Sequence, residues 1–104
     1  MAQYDVYTNP SESADKGIPF VVVLQSDLLD ALATRLVMPL ATLEFADKVP
    51  EKLCPSVMVN GQKLRALAHY AAPLPAKSLR QVVGNLSPQS HLLIAAMDVV
   101  LSGV

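Results

Sequence analysis

Apolar and polar residues alternate or cluster in strand-length runs along most of this chain, and the pattern changes to helical only near the end. Gln3-Tyr4-Asp5-Val6-Tyr7 alternates and carries aromatic and β-branched residues, which predicts a first strand. Asn9 to Gly17 is polar and dense in turn residues, so a loop comes next. Ile18 to Leu24 is apolar throughout, with Val21-Val22-Val23 at its centre, and predicts a strand covered on both faces. Gln25-Ser26-Asp27 ends that run, and Leu28-Leu29 beyond it are either a buried bend or an exposed contact. Arg35 to Leu40 predicts a third strand. Pro39 moves it toward an edge or a bulge, because proline cannot donate to a ladder.

The clearest local signal is Asn60-Gly61, between Ser56-Val57-Met58-Val59 and Gln62 to Leu67. Asn-Gly suits the positive φ values of a type I′ turn, so these residues predict a hairpin with Lys63 and Arg65 on one face and Leu64 and Ala66 on the other. Pro73 and Pro75 limit their own stretch to a short strand or a loop, and Lys77 to Val83 reads as one or two helical turns. Ser87 with Pro88 reads as N-cap and first helical residue of a last helix. With no repeat and no long linker, residues 1–104 are expected to form one domain, mainly β: an antiparallel barrel, closed or nearly so, with a C-terminal α-helix.

That helix carries the strongest functional hint. From Leu92 to Leu101 nine of ten residues are apolar, Asp98 being the exception, and Ser102-Gly103-Val104 comes at once after them. A helix apolar on every side must be covered on every side. The domain's own core can cover one face, which leaves the other for a second copy or a partner. A symmetric homodimer on this helix is therefore expected, with Met97 or Val100 on the seam. The charged fraction of 16% is below the usual quarter, which fits a small domain that hides part of its surface.

Charge and chemistry narrow the function further. The net charge is −1 and the basic residues are scattered, so the chain by itself is not expected to grip nucleic acid. Cys54 stands alone, which excludes an intrachain disulfide. Neither a signal peptide nor a span long enough for a bilayer is evident, so no membrane association is expected and the cytoplasm is the expected compartment. His69 and His91 have no ligand-spaced partners, and Cys54 beside Pro55 reads as a buried apolar residue rather than a nucleophile. Asp27 and Asp30 flank a turn and read as caps rather than as a catalytic pair. No cofactor, metal or catalytic residue is expected, and the chain reads as a binding protein rather than an enzyme.

The order and spacing of several short stretches resemble CcdB, the toxin family of the ccd toxin–antitoxin systems. These are Val6-Tyr7-Thr8, Val23 with Gln25-Ser26-Asp27-Leu28-Leu29-Asp30, Arg35, Val37, Pro39-Leu40-Ala41, Asp47-Lys48-Val49, Leu53 with Pro55, Leu86-Ser87, and Gly103 before an aliphatic residue. The resemblance implies an SH3-like barrel with a small side sheet, dimerised across its C-terminal helix. It implies a toxin that binds the A subunit of DNA gyrase, traps it on cleaved DNA, and is neutralised by a CcdA-like antitoxin whose disordered segment folds over it. Toxin and antitoxin together would repress their own operon, with the antitoxin supplying the DNA contacts.

By position, the implied gyrase contacts are Leu28, Leu29, Asp98, Leu101, Ser102, Gly103 and Val104. The chain departs from the family pattern twice, with Ser102 in place of a Trp that stacks on a gyrase arginine and Asp98 in place of an Asn. Interface Trp residues are frequent hot spots, so a homologue that keeps dimerisation and antitoxin binding but has lost gyrase poisoning is one alternative. Another is an endoribonuclease of the MazF type on the same barrel, for which Arg35 with Thr34 is the nearest candidate pair.

Overall fold

The computed structural model describes residues 2–46 and 48–103. Among them are seven strands and one α-helix: β1 (Asp5–Thr8), β2 (Phe20–Val23), β3 (Thr34–Ala41), β4 (Ser56–Val59), β5 (Gln62–Ala66), β6 (Ala72–Pro75), β7 (Val82–Asn85) and α1 (Ser90–Ser102). They form one curled antiparallel sheet in the order β4-β5-β3-β2-β1-β7, with β6 also paired to β3. The sheet is a half-barrel. Its far ends approach each other where the Asn60 side chain at the β4–β5 turn donates to the Val83 carbonyl of β7 at 2.7 Å.

Strand β2 is covered on both faces, as its unbroken apolar run predicts. Val22 belongs to the core under the helix with Val6, Met38, Leu40, Leu64, Leu93 and Ala96. Val21 and Val23 point the other way, into a second cluster with Tyr7, Val37 and Leu79. A third cluster at the base, around Ile18, Ala41 and Leu67, takes up Cys54. The Asn60-Gly61 hairpin forms with φ values of 50° and 82°, and Leu64 and Ala66 are its buried face.

Strand β3 corrects the reading of Pro39, because it is internal rather than an edge. It is long enough to serve two partners along one side: Thr34 to Val37 pair with β6, and Leu40 and Ala41 pair with β5. Pro39 lies in the gap between them. Its carbonyl accepts from the Leu67 N–H at 2.8 Å on that same side. A residue's N–H and C=O point to the same side of a strand, so the missing proline donor falls where no ladder partner waits.

Three other expectations are revised. Regular β1 begins at Asp5 rather than Gln3, because Tyr4 takes a positive φ of 69°. The expected helical turns over Lys77–Val83 shrink to a 3₁₀ turn at Ala76–Ser78, and Val82–Asn85 is recruited as β7 by pairing with β1 across a bulge. Local propensity there is weak enough for tertiary pairing to override it. Ser87 does not cap a helix: it opens a 3₁₀ turn, Ser87–Gln89, that leads into α1, and the side-chain oxygen of Asn85 accepts its N–H at 2.8 Å.

Candidate functional site

Helix α1 lays Leu93 and Ala96 on the core, where both are fully buried. At 100° per residue, Ile94, Asp98 and Leu101 share a stripe more than a third of a turn away from that contact. Ile94 is 52% exposed and Leu101 78% exposed, so the apolar side chains of this stripe face water. Met97 is half-buried against the core, whereas Val100 is exposed although it lies on the core side of the wheel. The last helical turn therefore overhangs the sheet. Gly103 closes it in the left-handed region (φ 71°), its N–H bonded to the Val99 carbonyl at 2.9 Å.

A shallow groove of about 250 Å³ runs beside the stripe, lined by Gln3, Tyr4, Leu24, Leu36, Ile94, Met97 and Asp98. The bend after β2 is tied to its rim. Asp27 accepts the backbone N–H of Gln3 at 2.6 Å, and the Gln3 side chain donates to the Leu24 carbonyl at 2.9 Å. Asp27–Leu29 is a 3₁₀ turn capped by Ser26, whose hydroxyl accepts the Leu28 N–H at 3.2 Å. Leu28 is 93% exposed and Leu29 48%, and Leu32 and Leu36 are exposed after them. Leu28 and Leu29 are therefore exposed, and the bend is not a buried one.

Of the two aspartates flanking this turn, Asp30 is a cap as expected, closing the C-terminal end with its N–H on the Asp27 carbonyl at 3.1 Å, whereas Asp27 is not. Ser26 is the N-cap, Asp27 anchors Gln3, and Asp30 also makes an ion pair with Arg35 at 3.5 Å.

Arg35 is built into the loop that precedes it. Its side chain is buried, and its guanidinium donates to the carbonyls of Asp30 (2.7 Å), Thr34 (2.9 Å) and Leu32, while Thr34 lies exposed on the surface. The Arg35 side chain is a structural clamp on these carbonyls.

Cys54 and His69 are brought together by the fold, with Sγ and Nδ1 at 3.7 Å. Burial pushes the Cys54 thiol above its ordinary range, against the weaker opposing pull of a backbone hydrogen bond from Ala68. It is a free, buried thiol, as its Leu-Cys-Pro setting predicts.

A family model described as CcdB protein matches residues 3–103. The chain belongs to the CcdB family. Membership describes it as a toxin of the toxin–antitoxin kind. The positions that the CcdB resemblance singles out fall in two places. Leu28 and Leu29 stand on the bend, and Asp98, Leu101, Ser102 and Gly103 stand on the outer stripe and end of α1. Asp98 reaches the groove, whereas Ser102 turns back on its own helix and donates to the Asp98 carbonyl at 2.6 Å. Val104, and Asp47 of the CcdB-like stretch Asp47-Lys48-Val49, lie outside the described residues. Sequence reasoning missed Leu24, Leu36 and Ile94 as parts of this surface. The i, i+4, i+7 spacing of Ile94, Asp98 and Leu101 was the available signal for Ile94. Nothing local marks Leu24 and Leu36, because strand pairing puts them at the groove.

Proposed function

We propose that this CcdB-family toxin is a homodimer that binds the A subunit of DNA gyrase and traps it on cleaved DNA. A CcdA-like antitoxin neutralises it by folding a disordered segment over the same surface. One observation carries this reading. Ile94 lines the groove, Leu101 continues its helix stripe, and exposed Leu28 and Leu29 stand on the bend tied to the groove through Asp27 and Gln3, at or beside the positions where the family resemblance puts the gyrase contact. Exposed large apolar side chains in close order mark interaction surfaces. The overhanging last turn with Val100 supplies apolar area for a two-fold pairing of helices. DNA would be reached only through the antitoxin complex, consistent with a net charge of −1, and the toxin would act in the cytoplasm without membrane or cofactor.

Induced expression with parallel assays for gyrase-dependent DNA cleavage and for RNA decay tests the proposal. Cleaved DNA that disappears in a strain with a resistant gyrase supports it; direct RNA decay with intact DNA overturns it. Sedimentation should show a dimer at micromolar concentration that Val100→Asp converts to monomer.

Ser102 favours a second reading, in which dimerisation and antitoxin binding persist while gyrase is held weakly. Its hydroxyl is used within the helix, and a serine offers neither the buried area nor the aromatic face of the family's Trp. Ser102→Trp is expected to tighten binding to the gyrase A subunit by about 30-fold or more, the equivalent of about 2 kcal/mol. Tight binding by the unmodified protein, with no gain in the variant, would show that Leu101 or its neighbours anchor the contact instead.

A further inference from the structure

The segment 26–34 presents Leu28, Leu29 and Leu32 to water, although apolar side chains gain by withdrawing from it. Something must hold the segment out. Its backbone has no sheet partner before Thr34, and its internal support is limited to the short 3₁₀ bonds of the turn. At its ends Asp27 accepts the Gln3 N–H at 2.6 Å and the Ala33 carbonyl accepts the Ala76 N–H at 2.9 Å, and between those ties most of the support comes from two side chains. Gln25 donates to the carbonyls of Leu29 (3.3 Å) and Thr34 (3.1 Å), while its own oxygen accepts the Leu36 N–H at 3.0 Å. Arg35 donates to Asp30, Leu32 and Thr34, and its Nε lies 3.5 Å from the Asp30 carboxylate. Between them they satisfy four carbonyls of an otherwise irregular loop.

We propose that Gln25 and Arg35 are positioning residues that keep this bend preformed, so that Leu28, Leu29 and Leu32 are displayed to a protein partner before it arrives. Arg35 suits the task because it is anchored in β3, opposite Leu74 of β6, and its planar fork reaches several carbonyls at once. A preformed loop spares the complex the ordering cost that a mobile one would bring. The inference rests on the reading that the bend contacts gyrase or the antitoxin.

The test uses the whole protein and two probes, the purified gyrase A subunit plus a synthetic peptide of the antitoxin's C-terminal segment. Gln25→Glu keeps the acceptor for Leu36 but loses both donors, and Arg35→Lys keeps the charge but loses the fork. Leu28→Ser removes a displayed side chain and leaves the clamp intact. In the two clamp variants, hydrogen exchange at the Leu28, Leu29, Asp30 and Leu32 amides should accelerate, with β4, β5 and α1 unchanged. If the competent bend then falls to about a tenth of the population, affinity for the probes drops about 10-fold through slower association. Leu28→Ser should lose affinity without faster exchange, a separation that a merely structural role for Gln25 and Arg35 does not produce. Unchanged exchange in both clamp variants, or faster exchange with undiminished binding, overturns the inference. Failure of the unmodified protein to bind either probe overturns the docking role itself, whatever the exchange data show for the clamp.

Discussion

The β4–β5 hairpin and the 26–34 bend both reverse the chain, and they are held by opposite means. The hairpin is specified locally: Asn60 and Gly61 supply the positive φ values, and four strand pairs from Ser56↔Arg65 to Val59↔Gln62 close it. Most of its apolar residues, Val57, Val59, Leu64 and Ala66, go inward, with Met58 alone of the two strands' apolar side chains exposed. The bend has almost no ladder, is fastened by side chains from Gln25, Arg35 and Asp27, and sends its leucines outward. In the first, backbone pairing and burial act together. In the second, polar groups restrain a segment against its own hydrophobicity, an arrangement expected of a surface that is finished by a partner.

The largest test of this contrast sets a buried leucine against a displayed one. Leu93→Ala opens space where the helix meets the sheet core and should cost about 2–5 kcal/mol in urea unfolding. Leu28→Ala should stay within about 0.5 kcal/mol of the parent, yet weaken binding to the gyrase A subunit or to the antitoxin segment. If Leu28→Ala proves as destabilising as Leu93→Ala, the bend is part of the core and the contrast fails.

Next in size is the hairpin turn itself. Gly61 has φ +82° with no heavy atom near an added Cβ, so Gly61→Ala measures backbone strain alone. A loss of about 1–2 kcal/mol is expected, with partner binding unaffected. No loss would mean that the ladder, not the turn, sets the register.

The smallest effect lies at alkaline pH. Burial raises the pKa of Cys54, and burial together with the weaker effect of the Asp5 charge raises that of Tyr7. In each case the unfolded chain gives up its proton first as pH rises. The native state then binds more protons than the unfolded state, and stability falls. The stability these two groups contribute is complete below the ordinary thiol range and declines from about pH 8.5 upward, first through Cys54 and then through Tyr7. Urea midpoints measured from about pH 7 to about pH 10.5 should show that slope, and Cys54→Ala should flatten its lower part. A flat profile in the unmodified protein would contradict it.

The residues by themselves determined the class of fold. The Val21-Val22-Val23 run could only be satisfied by burial on both faces, Asn60-Gly61 specified its own turn, and the nearly all-apolar stretch from Leu92 to Leu101 announced a helix with surface left to cover. The exposed bend and helix end also lay at positions that the family resemblance marks. What only the tertiary structure decided was everything that depends on partners distant in the chain. Val82–Asn85 became a strand because β1 was there to pair with it, and Pro39 was tolerated inside the sheet because β3 changes neighbours beside it. Arg35 took up a clamp, with the capping Asp30 beside it, because the loop carbonyls converge on a buried guanidinium. Periodicity and turn chemistry act within a few residues and can be read from them, whereas the satisfaction of a buried charge or an unpaired carbonyl depends on which distant segments the fold brings alongside.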